Sequence, residues 1–153
     1  MLRQKIDKGI ASLLSLIMAL MVINVLWQVF TRFVMSNPSS FTDELARYLM
    51  IWVGVLGAAY ISGKNMHVAI DFLSNKLSEN KQKKLSMLVH LIVILFALLV
   101  FVIGGLRLVY ITAILKQYSP ALHIPLAVVY AVIPLSGLLI IYYKMNDILA
   151  KKL

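Results

Sequence analysis

Four long apolar blocks occupy most of the chain, and short polar stretches separate them. The blocks cover residues 10–34, 45–63, 85–115 and 126–143. A helix needs about 20 mostly apolar residues to cross the hydrocarbon core of a bilayer, so each block is long enough to span it. The pattern predicts an all-α membrane protein in which four transmembrane helices form a single membrane domain over residues 1–153.

The longest connection, between the second and third blocks, has a different pattern. Its apolar residues Met66, Ile70, Leu73 and Leu77 recur at helical spacing, and polar residues occupy the opposite face. A helix of this kind is too short and too polar to cross a bilayer, and it is typical of the membrane interface. We therefore expect an interfacial amphipathic helix over about residues 66–77.

The composition strengthens the membrane assignment, because 61% of the residues are hydrophobic and only 14% are charged. A formal net charge of +9 would suggest a nucleic-acid partner in a soluble protein. Here the lysines and arginines cluster at block ends and connections, so membrane orientation and contact with anionic lipid explain them better, and no nucleic-acid partner is expected. The sequence contains no cysteine, which excludes disulfide exchange and thiolate metal sites.

The basic residues also predict how the chain is oriented. All but four of the 15 lysines and arginines lie before the first block, between the second and third, or after the fourth; the exceptions are Arg32, Arg47, Arg107 and Lys116. The positive-inside rule then predicts that both termini of this inner-membrane protein are cytoplasmic. The first block is longer than the core of a signal peptide, so we expect it to be a retained span.

One polar stripe runs along the first predicted span. Asn24, Gln28 and Arg32 follow one another at intervals of one helical turn, which places them on one face. Lipid cannot satisfy these groups, so the stripe should face another helix or a partner chain. Two interpretations remain open: a hydrogen-bonded seam between helices, or a polar path for a substrate.

The second predicted span carries a face of small residues. Gly54, Ala58 and Ser62 recur every four residues, and Gly57 widens the face. Such a surface allows the backbone of another helix to approach closely, either within this chain or from a partner subunit. Trp52 lies beside this face and is a candidate anchor or packing residue.

Charged residues gather near one end of the second span. Asp43, Glu44 and Arg47 lie at its start, and Arg107 lies inside the third span, where an unpaired charge is costly. We expect an ion pair from Asp43 or Glu44 to Arg107 or Arg32. The alternative is a local pair between Glu44 and Arg47 on one helical turn.

Several functional classes are disfavoured by what the spans do not carry. All six acidic residues lie at span ends or outside the spans, whereas a proton- or cation-coupled exchanger usually carries a carboxylate inside the membrane. His67, His90 and His123 are scattered, so we interpret each as structural rather than as a haem or metal ligand. No spacing of serine, histidine and aspartate suggests hydrolysis. The sequence therefore predicts neither an enzyme nor a bound cofactor.

Two groups of residues, in this order and spacing, carry a family resemblance. The first group is Asp43-Glu44-x-x-Arg47-Tyr48, Trp52, Gly54, Leu56-Gly57-Ala58-Ala59 and His67-Val68-x-x-Asp71; the second is Ile124-Pro125, Tyr130 and Ile133-Pro134-Leu135-Ser136-Gly137. With them, the chain resembles the small membrane subunit, of the DctQ type, of tripartite ATP-independent periplasmic (TRAP) transporters.

The resemblance implies a role in transport. Such a subunit pairs one-to-one with a large membrane subunit that carries the substrate by an elevator motion, and a periplasmic binding protein delivers the substrate. The substrate would be an organic acid such as a C4-dicarboxylate or a sialic acid, driven by sodium that binds the large subunit. The small subunit would enlarge the static scaffold and bind no substrate itself. A self-sufficient homo-oligomeric channel or exchanger is the alternative.

Overall fold

The structure, a computed structural model, describes residues 2–35, 39–64 and 79–150. The first span is helix α1 (Leu2–Phe33) and the second is helix α2 (Ser40–Gly63). Both are long and apolar enough to cross a membrane.

The third span is one continuous helical rod made of α3 (Glu79–Phe96), a π-helical segment (Ala97–Gly104) and α4 (Gly105–Ile114). The fourth span consists of α5 (Leu126–Tyr130) followed by α6 (Val132–Ala150). These two spans also have the length and composition of membrane-crossing helices. The prediction of an all-α chain with four spanning helices is thus confirmed over the described residues.

The helices begin earlier than the apolar blocks do. The predicted starts were residues 10, 45 and 85, whereas α1, α2 and α3 begin at Leu2, Ser40 and Glu79. A helix satisfies its own backbone hydrogen bonds, so it continues beyond the hydrocarbon core into polar sequence. The predicted interfacial helix over residues 66–77 lies outside the described residues.

The fourth span is interrupted at Ala131, three residues before Pro134. Proline has no backbone N–H and its ring clashes with the preceding turn, so it disturbs the hydrogen bonds of the residues before it. The interruption therefore lies where a kink caused by Pro134 is expected. At this point the indole N–H of Trp52 donates to the carbonyl of Val129, at 3.1 Å.

The spans are arranged with α2 and the fourth span at the centre. Helix α1 packs mainly on α2, and the third span packs mainly on the fourth. One buried core joins Ile17, Leu56 and Val132. Because the spans do not enclose a common centre, much of the apolar surface of the outer helices is exposed.

Two glycines let the third and fourth spans approach closely. A methyl group added at Gly137 would lie 2.6 Å from the Cβ of Phe101, and one added at Gly105 would lie 2.9 Å from the Cδ of Pro134. Real side-chain contacts are not that short, so only glycine fits at this crossing. The spacing between these two spans therefore depends on both positions.

Candidate functional site

Glu44 joins α2 to the connection between the third and fourth spans. Its Oε2 atom accepts a hydrogen bond from the hydroxyl of Ser119. The same oxygen accepts from the backbone N–H groups of Ala121 and Leu122, at 3.1 and 3.2 Å. Three donors thus converge on one carboxylate oxygen, and hydrogen bonds to an ionised acceptor are among the stronger ones in proteins.

The connection held by Glu44 is an ordered hairpin, which we define as residues 116–125. Ser119 N–H donates to the carbonyl of Ile124, and Leu126 N–H donates to that of Gln117, both at 2.9 Å. Lys116 and His123 have positive φ angles of 46° and 54°. The hairpin thus turns at two left-handed residues that are not glycine, which is uncommon and needs support from surrounding contacts.

Two of the three residues in the polar stripe of α1 form hydrogen bonds to α2. Asn24 is buried, and its amide donates to the carbonyl of Thr42 at 2.8 Å. The amide of Gln28 donates to the carboxylate of Asp43. Arg32, the third member of the stripe, is exposed. Two of the three residues therefore form a seam between α1 and α2, next to the hairpin.

The predicted ion pair between the acids of α2 and an arginine of another span is wrong. Glu44 binds hydrogen-bond donors of the hairpin, and Asp43 binds an amide of α1. Arg32 and Arg107 are exposed and form no salt bridge within the part of the chain that the structure describes. The acids are satisfied by neutral donors, which the charge pattern alone did not indicate.

A second polar cluster lies at the opposite end of the spans, where α1 begins and α6 ends; we call this the terminal end. The guanidinium of Arg3 forms an ion pair with Asp147 at 2.8 Å and also donates to the carbonyl of Gly63. Asp147 is only 5% exposed, so this contact neutralises a buried carboxylate. Arg3 therefore ties the start of α1 to the ends of α2 and α6.

Further contacts extend the cluster at the terminal end. The hydroxyl of Tyr143 donates to Asp7 at 2.6 Å, and the ammonium of Lys144 donates to the carbonyl of Ser62 at 2.9 Å. Lys64 lies 3.8 Å from Asp7. Sequence reasoning missed this cluster, although Asp7 and Asp147 were a usable signal, since they are acids in otherwise basic segments.

The third span joins this cluster through His90, which was predicted to be structural. His90 is buried, its Nδ1 lies against the carbonyl of Ser86, and its Nε2 is 4.0 Å from Asp147. All four spans therefore contribute a polar group to the terminal end. About 30 Å of helix separates Asp7 from Gln28, which is close to the thickness of the hydrocarbon core.

The small-residue face of α2 is divided between two environments. Ser62 is buried, and the buried side of α2 continues through Leu56 and Ala59. Gly54 and Ala58, which lie two turns and one turn before Ser62, are exposed. A methyl group added at Gly54 or Gly57 would have nothing within 4 Å. The close helix approach predicted for this face is thus not made at these glycines within the described residues.

The described residues contain an apolar groove between α1 and α2. It has a volume of about 400 Å³ and is lined by Leu20, Ile23, Asn24, Trp27, Phe41, Leu45 and Leu49. Its walls offer one amide and no ionisable group. Elsewhere in the described residues, no three histidine, aspartate or glutamate side chains lie together as metal ligands would.

Known proteins show similarity over most of the chain. The family model of the DctQ component of tripartite ATP-independent periplasmic transporters matches residues 21–151. A putative TRAP transporter small permease protein from Haemophilus influenzae is 30% identical over 135 residues, which is 88% of this chain and 82% of that protein.

Two further relatives have names that refer to sialic acid. The Vibrio cholerae sialic acid TRAP transporter small permease protein SiaQ is 31% identical over 66% of this chain and 59% of its own length. The Haemophilus influenzae sialic acid TRAP transporter permease protein SiaT is 35% identical over 52% of this chain but only 13% of its own length. With the family match over residues 21–151, the chain belongs to the DctQ family of TRAP transporter small permease subunits.

Proposed function

We propose that the chain is a fixed scaffold beside a large permease subunit, in the sodium-driven uptake of an organic acid. The names of two relatives favour a sialic acid over a C4-dicarboxylate as the substrate. One of these, SiaT, is so much longer that the match covers 13% of it, which suggests a similar segment joined to a larger permease. The large subunit would pair one-to-one with this chain and bind the sodium, and a periplasmic binding protein would supply the substrate.

The observation that carries the scaffold role is how the polar groups of the spans are used. Asn24 bonds to the backbone of α2, Trp52 bonds to Val129 of the fourth span, and the hydroxyl of Thr112 bonds to the carbonyl of Leu108 in its own helix. These groups hold helices together or satisfy their own backbone. A static wall requires such contacts, whereas a transport path requires polar groups that remain available to a solute.

The face offered to the large subunit is the exposed stripe of α2. Its members recur at helical spacing from one end of the helix to the other, and all are exposed: Asp43, Arg47, Met50, Gly54, Ala58 and Ile61. The open space at Gly54 allows a helix backbone of the partner to approach closely. Arg47, an exposed charge near one end of the stripe, would pair with an acid of the partner.

Co-purification with the large permease subunit tests this assignment. We expect the wild-type chain to retain the large subunit in detergent and Gly54→Leu to lose most of it, because the added side chain fills the space for the partner helix. Gly9→Leu is the matched control, since a methyl group at Gly9 also has nothing within 4 Å, but on α1. If Gly54→Leu retained the large subunit fully, the exposed stripe of α2 would not be the face that binds it.

Transport in liposomes tests the scaffold role separately. Vesicles that contain this chain alone should show no uptake of labelled sialic acid under a sodium gradient, and vesicles that contain both subunits and the binding protein should show uptake. Uptake by the chain alone would instead establish it as a self-sufficient carrier.

A further inference from the structure

The third span carries an exposed face that is basic at one end and apolar beyond it. Lys81 and Lys84 lie at its start, and Leu88, Leu91 and Leu95 continue it at intervals of three or four residues. The three leucines are 54%, 53% and 56% exposed. We propose that this face binds one anionic phospholipid, with its phosphate at the two lysines and an acyl chain along the leucines.

The dimensions of the face fit one leaflet of a bilayer. From Lys84 to Leu95 the helix rises about 16 Å, and one leaflet with its headgroup layer is about 20–22 Å thick. The spacing of the five residues keeps them within one side of the helix. A lipid can therefore contact both lysines with its headgroup while its chain follows the leucines.

The depth of the lysines also fits a headgroup. His90 meets Asp147 in the polar cluster of the terminal end, which we take as the edge of the hydrocarbon core. About 9 Å of helix separates Lys84 from His90, in the direction away from the core. Lys84 and Lys81 thus lie in the headgroup layer, where lysine attracts anionic lipid.

The two acids whose side chains the structure describes at the terminal end do not neutralise these lysines. Asp147 is paired with Arg3, and Asp7 is engaged by Tyr143 and Lys64. Neither Lys81 nor Lys84 forms an ion pair with Asp7, Asp43, Glu44 or Asp147, the acids whose side chains the structure describes. A lipid phosphate is an anion present at this depth, and its charge complements that of the two lysines.

The surface chemistry favours a lipid over a protein helix as the occupant. Helix-packing faces in membranes are rich in small residues, as at Gly54 and Ala58 of α2. The face from Leu88 to Leu95 presents large flexible side chains and no exposed small residue. Among the described residues, the third span packs mainly against the fourth, and the leucines on its outer side are exposed. This inference does not depend on the proposed function, because it requires only that the span crosses a bilayer.

Lipid titration of the purified full-length chain in detergent tests the site. Phosphatidylglycerol and phosphatidylcholine with identical acyl chains are added, and retained lipid is measured by native mass spectrometry. We expect phosphatidylglycerol to bind more tightly than phosphatidylcholine. A lysine near an anionic headgroup contributes roughly fivefold in affinity, so Lys81→Gln/Lys84→Gln should weaken phosphatidylglycerol binding by about 25-fold.

The matched control is Lys83→Gln/Lys116→Gln, which removes the same charge. Lys83 points to a different side of α3, and Lys116 lies in the hairpin at the other end. This variant should bind phosphatidylglycerol like the wild type, and circular dichroism verifies that both variants are folded. Equal weakening in the two variants would overturn the proposal, as would equal binding of the two lipids. If glycerol phosphate displaced phosphatidylglycerol at an equal concentration, the headgroup alone would account for binding. The leucines would then contribute nothing to the affinity, and the proposed acyl-chain contact would be wrong.

Discussion

At the scale of single residues, Glu44 is the side chain on which the hairpin depends most. Its carboxylate accepts hydrogen bonds from Ser119, Ala121 and Leu122. Glu44→Ala leaves these donors without their acceptor, and we expect the hairpin to open more often. Limited proteolysis should then cut within residues 116–125 several-fold faster than in the wild type, while the spans stay protected.

Two other variants separate the role of Glu44 from a general effect of charge. Asp43→Ala removes an acid of the same helical turn that accepts from Gln28 rather than from the hairpin, so cleavage of the hairpin should remain at the wild-type rate. Glu44→Gln keeps a carbonyl oxygen that accepts from Ser119, and it should give an intermediate rate. Equal cleavage of all three variants would show that Glu44 does not hold the hairpin.

The sequence identified Glu44 as a candidate but not its partners. Opposite charges suggested Arg32 or Arg107, yet three neutral donors on a tight hairpin satisfy the carboxylate. Those donors lie on a hairpin in which Lys116 and His123 adopt left-handed backbone conformations. Residue type does not predict this, since such positions usually carry glycine or asparagine.

At the scale of helices, the contact between the third and fourth spans should be the part least tolerant of added volume. Gly137→Ala would place a methyl group 2.6 Å from Phe101 Cβ and 3.2 Å from the backbone nitrogen of Val102, so the two spans must separate. We expect a loss of about 1–3 kcal/mol in the free energy of unfolding. Unfolding in detergent with increasing denaturant, followed by tryptophan fluorescence, measures it.

Gly54→Ala provides the contrast on α2. A methyl group there meets nothing within 4 Å, and alanine favours a helix over glycine by about 1 kcal/mol. The free energy of unfolding of the isolated chain should therefore be unchanged or slightly higher. If both variants lost the same stability, the loss could not be assigned to the close approach at Gly137, because Gly54 has no such neighbour.

The four spans were predictable because a bilayer demands long apolar segments. The sequence did not predict which face of each span packs against another helix. Lipid and neighbouring helices are both apolar, so hydropathy cannot distinguish a lipid-facing side from a packed one. The repeat of Gly54, Ala58 and Ser62 illustrates the limit: one member is buried and two are exposed. The first turns of α1 were also missed, because Arg3 and Asp7 continue the helix through polar contacts rather than through an apolar pattern.

At the scale of the whole molecule, the two ends of the chain differ in charge, and this difference predicts the topology. The terminal end carries the exposed lysines Lys5, Lys8, Lys81, Lys83 and Lys84, and its acids Asp7 and Asp147 are already engaged. The hairpin end carries fewer basic residues, namely Arg32, Arg47 and Lys116. Basic residues near spans are retained on the cytoplasmic side, so the hairpin should be periplasmic.

The chain contains no cysteine, so single introduced cysteines report this topology without background. Lys116→Cys and Lys5→Cys replace exposed residues at the two ends. In intact cells whose outer membrane is permeable, a maleimide that cannot cross the inner membrane should label position 116 and not position 5. Disruption of the inner membrane should make position 5 reactive, which shows that its thiol is accessible. Labelling of position 5 in intact cells would reverse the topology, because the lysines would then lie on the periplasmic side.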